Sequence, residues 1–436
     1  MKIGTALLMA LTATALAAAS ACSSSSGNPG AAQDGGSESG SGSGSSSGGG
    51  SCTPAAGALC PFTAPADPGG GGILFAASGE VLALTGYAFP PVNAGDPAFV
   101  DGWEVKFTRL LVTVDKIKVS SNPDTSPGDQ SQTGSLVAEV DGPWAIDLSH
   151  SDPTYLPGKG GPGEEAAPIA ALSNQNKNGN QPFLTDGTRY AFGFDAIAAT
   201  NTAMNVNLDA PGLADYAEMV TNQCVVFYVG MATFKGGSVP GFTTCNSDPE
   251  YASWPQTVNF RLCFKSPTTY ENCQNPDNDP AMAFPNEEHQ RGIALKSNQS
   301  VIGQVTFHTD HPFWDSVLHD SPAHFDQFAA RAVGQDAGST PTVTVEMTKG
   351  VDYTAYTDAL GKKLNWRYCI APPTTVHPQF NGQMAFDPQS VPHCTGGDHS
   401  TGLCDYYDYT TYDQSTQGHL NSNGLCFVKR NYPSPP

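Results

Sequence analysis

Apolar and polar positions alternate over short stretches of this chain, with the two-residue period of β-strands. The segment Trp103–Phe107 alternates cleanly in the order Trp-Glu-Val-Lys-Phe. The alternation then continues through Leu111–Val114 and Ile117–Val119 with a change of parity. Because one extra residue in a strand reverses its faces, this change predicts a β-bulge.

A hairpin is predicted where two apolar runs flank a turn dipeptide. Leu136–Val140 and Pro143–Leu148 stand on either side of Asp141-Gly142, and Asp-Gly tolerates the positive φ values of a type I′ turn. The same alternation predicts five further strands, at Tyr190–Phe194, Val225–Phe234, Val258–Phe264, Val301–His308 and Val343–Met347.

Helical patterns are few and short. They cover Glu164–Leu172, Leu213–Thr221 and the segment after Asp310. The 35 prolines and 47 glycines interrupt the remainder and favour loops. We therefore expect a mainly β protein, an antiparallel β-sandwich with long, disulfide-stapled loops and a few short helices.

The N-terminus resembles a bacterial lipoprotein signal. Lys2 precedes the apolar run Ala6–Ala19, Ala19-Ser20-Ala21 is a small-residue cleavage site, and Cys22 follows. Ala19 stands where this signal usually has a large apolar residue. The resemblance implies that Cys22 is acylated and that the protein is extracytoplasmic, with Ser23 favouring the outer membrane of a Gram-negative bacterium. An ordinary cleaved signal with a structural Cys22 is the alternative.

Composition divides the chain into four parts. Residues 1–21 form the predicted signal peptide, and 22–51 carry the lipidated cysteine and a Ser/Gly-rich tether that spans roughly 30 Å. Residues 52–72 are a loosely structured lead-in. Residues 73–436 are long enough for a β-rich extracytoplasmic domain, or for two subdomains that divide near 275–290.

Cysteine usage indicates an oxidising compartment. The chain has 11 cysteines, and setting Cys22 aside leaves an even number, suited to five disulfides. Their pairing stays open, although each of three groups is even and could close on itself. The groups are Cys52 and Cys60; Cys224, Cys245, Cys263 and Cys273; and Cys369, Cys394, Cys404 and Cys426.

Charge narrows the range of partners. The formal net charge of -21 argues against nucleic acid and anionic membrane surfaces. No apolar run after residue 22 approaches the roughly 20 residues of a membrane helix, so we expect the N-terminal lipid to be the membrane attachment. A protein or glycan partner stays unidentified.

One segment concentrates histidine. Four of the 10 histidines, His308, His311, His319 and His324, lie close together in sequence. The pattern predicts a strand that ends near His308, a helix that begins at Asp310 or His311, and a second short helix with His324 in its first turn. Convergence of these elements would gather imidazoles into a site for copper or zinc. Carboxylates to support it are Asp310, Asp315, Asp320 and Asp326.

Several alternatives remain beside the metal site. The histidines could be a structural or pH-responsive cluster, and the protein a surface binding or adhesion module. No catalytic motif is present, so we do not expect an enzyme, although a metal-dependent hydrolase stays open.

Two further groups resemble ligand sets. Near the C-terminus, His393 and His399 alternate with Cys394 and Cys404, but a disulfide loop is the simpler interpretation. Calcium-binding loops are an alternative to solvated acidic loops at Asp277-Asn-Asp279 and at Asp405, Asp408 and Asp413.

The chain also resembles the MbnP-like copper-binding periplasmic proteins. The resemblance rests on the strand-rich sandwich, on the segment Glu104-Val-Lys-Phe-Thr-Arg-Leu-Leu, and on Val305-Thr-Phe-His308 followed by Trp314. It covers about half of the mature chain and carries no ligand over to a position of this sequence. It implies copper handling at the cell envelope.

Overall fold

Strands dominate the part of the chain that the structure describes. The computed structural model describes residues 52–55, 58–93, 95–174, 187–236, 252, 254–280, 283–285, 287–315, 321–335, 338–352, 358–361, 369–370 and 393–432. The predicted signal peptide, Cys22 and the tether lie outside these residues. The strands are β1 (Cys60–Pro61), β2 (Ile73–Ser78), β3 (Trp103–Ser120), β4 (Leu136–Val140), β5 (Trp144–Asp147), β6 (Leu156–Pro157), β7 (Glu165–Leu172), β8 (Arg189–Ala196), β9 (Met204–Asn205), β10 (Val226–Phe234), β11 (Thr257–Phe264), β12 (Thr268–Glu271), β13 (Ile293–Ala294), β14 (Val301–Phe307), β15 (Thr342–Val343), β16 (Gly418–Leu420), β17 (Gly424–Leu425) and β18 (Phe427–Arg430).

Helices in the described residues are short. The α-helices are α1 (Glu80–Thr85), α2 (Ala210–Asn222), α3 (Asp326–Ala329) and α4 (Tyr406–Gln414). Three 3-10 turns cover His311–Phe313, Ala330–Ala332 and Val345–Thr348. None of the described helices has both the length and the apolar character that crossing a membrane requires.

The larger sheet is organised around one long strand. β3 has 18 residues and pairs antiparallel with β10 and β8 along one edge and with β5 and β4 along the other. The main strand order of this sheet is β1-β9-β5-β3-β10-β11-β15. The ladder with β8 shifts register between Asp115 and Lys118, and Lys116 has a φ of 46°. The predicted bulge is therefore confirmed.

The smaller sheet has the order β17-β16-β14-β2-β7-β6. β2 and β14 run parallel, and each has an antiparallel neighbour on its other side. Every residue of β2 is buried, as is typical of a strand with neighbours on both edges and cover on both faces. The two sheets are mixed, although most of their pairs are antiparallel.

The two sheets face each other across an aromatic core. Phe75 of β2 lies 6.0 Å from Phe192 of β8, and Phe307 of β14 lies 5.9 Å from Phe194, measured between ring centroids. A second apolar cluster on the other face of the larger sheet includes Tyr216 from α2. The mainly β, two-sheet architecture expected from the sequence is confirmed.

The predicted hairpin over 136–148 is wrong. β4 and β5 do not pair with each other; both pair with β3, where Val140 lies opposite Ile117 and Trp144 lies opposite Val114. The two strands follow one another along the same partner. The intervening dipeptide therefore carries the chain past the irregularity of β3 and does not reverse its direction.

The helix predicted over 164–172 is also wrong, because this segment forms β7. Its alanines favour a helix locally, but the strand pairs with β2, and Ala166, Ala167 and Ala170 are buried. Pro168 lacks a backbone donor and sits beside a register shift opposite Ala76. The strand predicted at Val343–Met347 is confirmed only at Val343, the last residue of β15. The rest of the prediction is wrong, because a 3-10 turn covers Val345–Thr348.

Four disulfides cross-link the described residues. They join Cys52 to Cys60, Cys224 to Cys263, Cys273 to Cys426, and Cys394 to Cys404. Cys369 is also disulfide-bonded, and Cys245 lies outside the described residues. The bond from Cys273 to Cys426 joins the two groups of four, so these groups do not close on themselves. Such bonds indicate an oxidising, extracytoplasmic environment.

Candidate metal centre

The carboxyl ends of the two parallel strands define the position of the site. β2 ends at Ser78 and is followed by Glu80; β14 ends at Phe307 and is followed by His308. Because the strands run side by side in the same direction, the residues that follow them emerge at one edge of the smaller sheet. Oε1 of Glu80 lies 3.3 Å from Nε2 of His308.

β16 brings a second imidazole to the same edge. It pairs antiparallel with β14, with His419 directly opposite Thr306. His308 lies two residues beyond Thr306 and therefore on the same face of the strand. The ring centroids of His308 and His419 are 4.0 Å apart.

The third imidazole is that of His311, in the 3-10 turn that follows β14. Pro312 occupies the first part of this turn, where a missing backbone donor is tolerated. The ring centroid of His311 lies 5.4 Å from that of His308 and 5.3 Å from that of His419. One nitrogen from each of the three rings lies within 4.8 Å of the other two. Two nitrogens bound to one zinc ion are at most about 4.2 Å apart, so small side-chain movements would let all three share an ion.

The three rings differ in their exposure. His311 and His419 are fully buried, whereas the side chain of His308 is 13% exposed. Trp314 stacks on His311 with 3.8 Å between ring centroids. Buried ring nitrogens need bonding partners, from the protein or from an ion. His308 is the ring of this group through which solvent reaches the cluster.

Two acceptors surround Nε2 of His308. The backbone carbonyl of Ser422 lies 3.2 Å from it, and the Glu80 carboxylate is the second. The Ser422 hydroxyl donates to the same Glu80 oxygen at 2.6 Å. Burial alone would raise the pKa of Glu80, but the charge of a protonated His308 and the hydrogen bonds from His308 and Ser422 lower this pKa to about 2.

His311 is held by the segment that follows α4. Its Nδ1 lies 2.7 Å from the hydroxyl oxygen of Thr416, and this hydroxyl donates to the carbonyl of Asp413 at 2.6 Å. Asp413 belongs to the last turn of α4. The same helix thus positions one of the three imidazoles.

Strained backbone accompanies the site. Glu80, Asn421 and Ser422 have φ values of 62°, 50° and 72°, in the left-handed region that residues with a Cβ seldom adopt. Conformations of this kind persist where surrounding contacts hold them, and they concentrate at functional sites.

His324 belongs to a different set of contacts. It is fully buried, with Nε2 at 3.2 Å from Asp315 and Nδ1 at 3.9 Å from Asp101. It precedes α3, which begins at Asp326, and does not lie in the first turn of a helix. His319 and Asp320 lie outside the described residues. Of the four predicted histidines, the structure therefore gathers His308 and His311.

The remaining predicted carboxylates have other partners. Asp310 accepts a hydrogen bond from the Trp314 indole at 3.3 Å, and Asp326 accepts one from the Trp103 indole at 2.8 Å. Both carboxylates therefore serve as acceptors for indole N–H groups.

The C-terminal His/Cys set contains a disulfide loop. His399, Cys404 and Asp408 approach one another, but the sulfur of Cys404 is bonded to Cys394. What remains is an exposed contact of 2.6 Å between His399 and Asp408. His393 is exposed as well.

The acidic sets also have structural roles. Asp405 caps α4 by accepting from the Asp408 amide at 3.0 Å, and Asp413 is buried. The expectation of a solvated acidic loop is therefore wrong for this segment. Asp277 pairs with Lys159 at 2.7 Å.

Sequence reasoning missed His419 and Glu80. His419 stands alone between Gly418 and Leu420, and Glu80 follows a continuous apolar run. Neither residue has a local motif. His419 reaches the site because β16 pairs with β14, and Glu80 reaches it because β2 pairs with β14. The chain matches no protein-family model, no curated protein and no solved structure.

Proposed function

We propose that this protein is a lipid-anchored cell-envelope protein that binds one divalent transition-metal ion through His308, His311 and His419. The observation that carries this proposal is the approach of three imidazole nitrogens to within 4.8 Å of one another. Two of the rings come from one segment and the third from a strand far along the chain.

The donor set favours copper or zinc. Neutral imidazole nitrogen suits Cu(II) and Zn(II), whereas calcium and magnesium prefer oxygen. The cysteines within the described residues are all in disulfides. A thiolate-rich Cu(I) site therefore has no support. The resemblance to MbnP-like proteins points towards copper.

The anchoring part of the proposal rests on the N-terminal sequence. The lipoprotein-like signal before Cys22 and the Ser/Gly-rich tether would place the folded domain outside the cytoplasm, on the outer membrane. The disulfides are consistent with that compartment.

A hydrolase would need a substrate pocket beside the metal. A cavity of about 760 Å³ is lined by residues that include Phe62, Tyr155 and Leu208, but by none of the three histidines. Its presence therefore gives no support to hydrolysis at this centre. A binding module without metal is the alternative that the following experiment tests.

Metal content should be measured on the purified, oxidised full chain after challenge with Cu(II) or Zn(II) and dialysis. We expect about one ion per chain, and a clear loss of bound metal in each of the variants His308→Ala, His311→Ala and His419→Ala. His393→Ala is the matched control, because this exposed histidine lies outside the group. Equal metal content in the control and in folded variants of the group would refute the proposal.

A further inference from the structure

We infer that Glu80 is a positioning residue of this centre, which holds the Nε2 proton of His308 so that His308 coordinates through Nδ1. This inference rests on the proposed function. It adds which nitrogen of His308 and which nitrogen of His311 would bind the metal ion. It also gives a role to a strained carboxylate that no sequence motif marks.

The tautomer of His308 follows from the chemistry of its neighbours. The Ser422 carbonyl, 3.2 Å from Nε2, can only accept a hydrogen bond. The Glu80 carboxylate at 3.3 Å, when ionised, also only accepts. Both contacts require a hydrogen on Nε2, so in the neutral ring the lone pair that can bind a metal lies on Nδ1.

His311 takes the opposite tautomer. The hydroxyl hydrogen of Thr416 is directed to the carbonyl of Asp413. The Thr416 oxygen therefore accepts from Nδ1 of His311 at 2.7 Å, and the coordinating nitrogen of this ring is Nε2. The two rings present different nitrogens to a shared ion.

Glu80 acts on His308 by two routes. It accepts from Nε2 directly, and its Oε1 also accepts from the Ser422 hydroxyl. The second bond holds Ser422 in its left-handed conformation and keeps the Ser422 carbonyl beside the same nitrogen. Within the described residues, one ligand atom from each of the three histidines lies within 4.8 Å of the other two, and Glu80 does not belong to this group. This separation favours an outer carboxylate that orients a ligand.

The backbone of Glu80 offers a sharp test. Its φ of 62° suits glycine better than any residue with a Cβ. Glu80→Gly removes the carboxylate without adding strain, whereas Glu80→Ala removes it and keeps the strain. We expect Glu80→Gly to unfold at a higher temperature than Glu80→Ala, and both to bind Zn(II) about 10- to 100-fold more weakly than the unsubstituted chain.

Two variants complete the series. Glu80→Gln keeps an acceptor oxygen, and we expect it to bind Zn(II) more tightly than Glu80→Gly. Glu218→Ala is the matched control, because Glu218 belongs to α2 and pairs with Arg261. Its affinity should equal that of the unsubstituted chain.

Nitrogen-15 NMR of the imidazoles tests the tautomers without any metal. In the full chain at pH 8, we expect the proton of His308 on Nε2 and that of His311 on Nδ1, and a loss of the single His308 tautomer in Glu80→Gly. A proton on Nδ1 of His308, or unchanged Zn(II) affinity in Glu80→Gly, would overturn the inference. If the tautomers are as expected but His308→Ala keeps its metal, the proposed function fails and the role of Glu80 in orienting the ring stands.

Discussion

His419 in β16 lies directly opposite Thr306 in β14, and this pairing sets the position of the whole histidine cluster. A slip of one residue between antiparallel strands moves every side chain to the other face. His419 would then turn away from His308. The register of a three-residue strand is therefore a condition for the approach of the three imidazoles.

Gly418→Ala should disturb this register. A Cβ at Gly418 would lie 2.5 Å from ring atoms of Tyr270, which is itself fully buried. We expect a loss of about 1–3 kcal/mol in the free energy of unfolding, together with weaker Zn(II) binding. Urea unfolding measures the first effect and metal titration the second.

Gly128→Ala is the control for this substitution, because nothing lies within 4 Å of a Cβ built there. Equal stability of the two glycine variants would show that β16 adapts to the added methyl group.

His324→Ala should separate stability from metal binding. The substitution removes a buried imidazole from between Asp315 and Asp101, which we expect to cost on the order of 3 kcal/mol in the free energy of unfolding. Metal content should stay near that of the unsubstituted chain. A folded His324→Ala chain that has lost its metal would place His324 in the centre after all.

Bound metal should stabilise the fold. Zn(II) at 100 times its dissociation constant is expected to add about 2.7 kcal/mol to the free energy of unfolding, since it binds the folded chain. Thermal unfolding with and without a chelator measures this gain. His419→Ala should show none, and an equal gain in that variant would point to binding elsewhere.

Asp413→Asn should change how stability depends on pH. Burial raises the pKa of Asp413 well above its ordinary value near 3.8, and the charge of Arg430 offsets this only in part. The protonated form is therefore favoured in the fold. Its contribution is complete below the unfolded pKa and is lost as pH rises through the folded pKa. We expect the stability of Asp413→Asn, relative to the unsubstituted chain, to increase with pH.

Asp398→Asn provides a control of opposite sign. Hydrogen bonds from Ser400 lower the pKa of the exposed Asp398, so its contribution grows as pH rises above the lowered value. Removing it should reduce relative stability with rising pH, by a small amount. Urea unfolding from pH 3 to pH 8 compares the two variants. The effect of Asp398→Asn should be complete once pH exceeds the ordinary pKa near 3.8, whereas that of Asp413→Asn should keep growing at higher pH, and parallel profiles would contradict the assignment for Asp413.

The two disulfides near the C-terminus should differ in effect. Cys273 and Cys426 are 153 residues apart, and Cys394 and Cys404 are 10 apart. Loop-closure entropy predicts losses of about 5 and about 3 kcal/mol when each pair is replaced by serine. Only the first replacement should also weaken metal binding, because Cys426 follows β17, which pairs with β16. Equal effects on metal affinity would argue against this coupling.

The sequence predicts correctly the strands and the helix whose apolar residues recur with a clear period. β3, β10, β11 and α2 have clear periodicity, and each forms where its pattern indicates. β7 was predicted as a helix because alanine favours helices, and its burial between strands overrides that preference. β2 gave no signal, since a strand buried on both faces reads as a continuous apolar run.

Only part of the candidate site could be predicted from the sequence. His308 and His311 were predicted because they lie close together in sequence beside a strand end. His419 and Glu80 reach them through long-range pairing, which no local spacing encodes. His324 was expected among them on the strength of proximity along the chain, but the structure directs its ring towards Asp315 and Asp101.

The hydrogen bond from Ser422 to Glu80 joins residues that are 342 positions apart. A chain that is still being synthesised or transported in unfolded form has therefore not yet assembled the centre. If the proposed function holds, an ion can bind there only after these distant parts of the chain have folded together. An ion held there would report that the whole domain has matured.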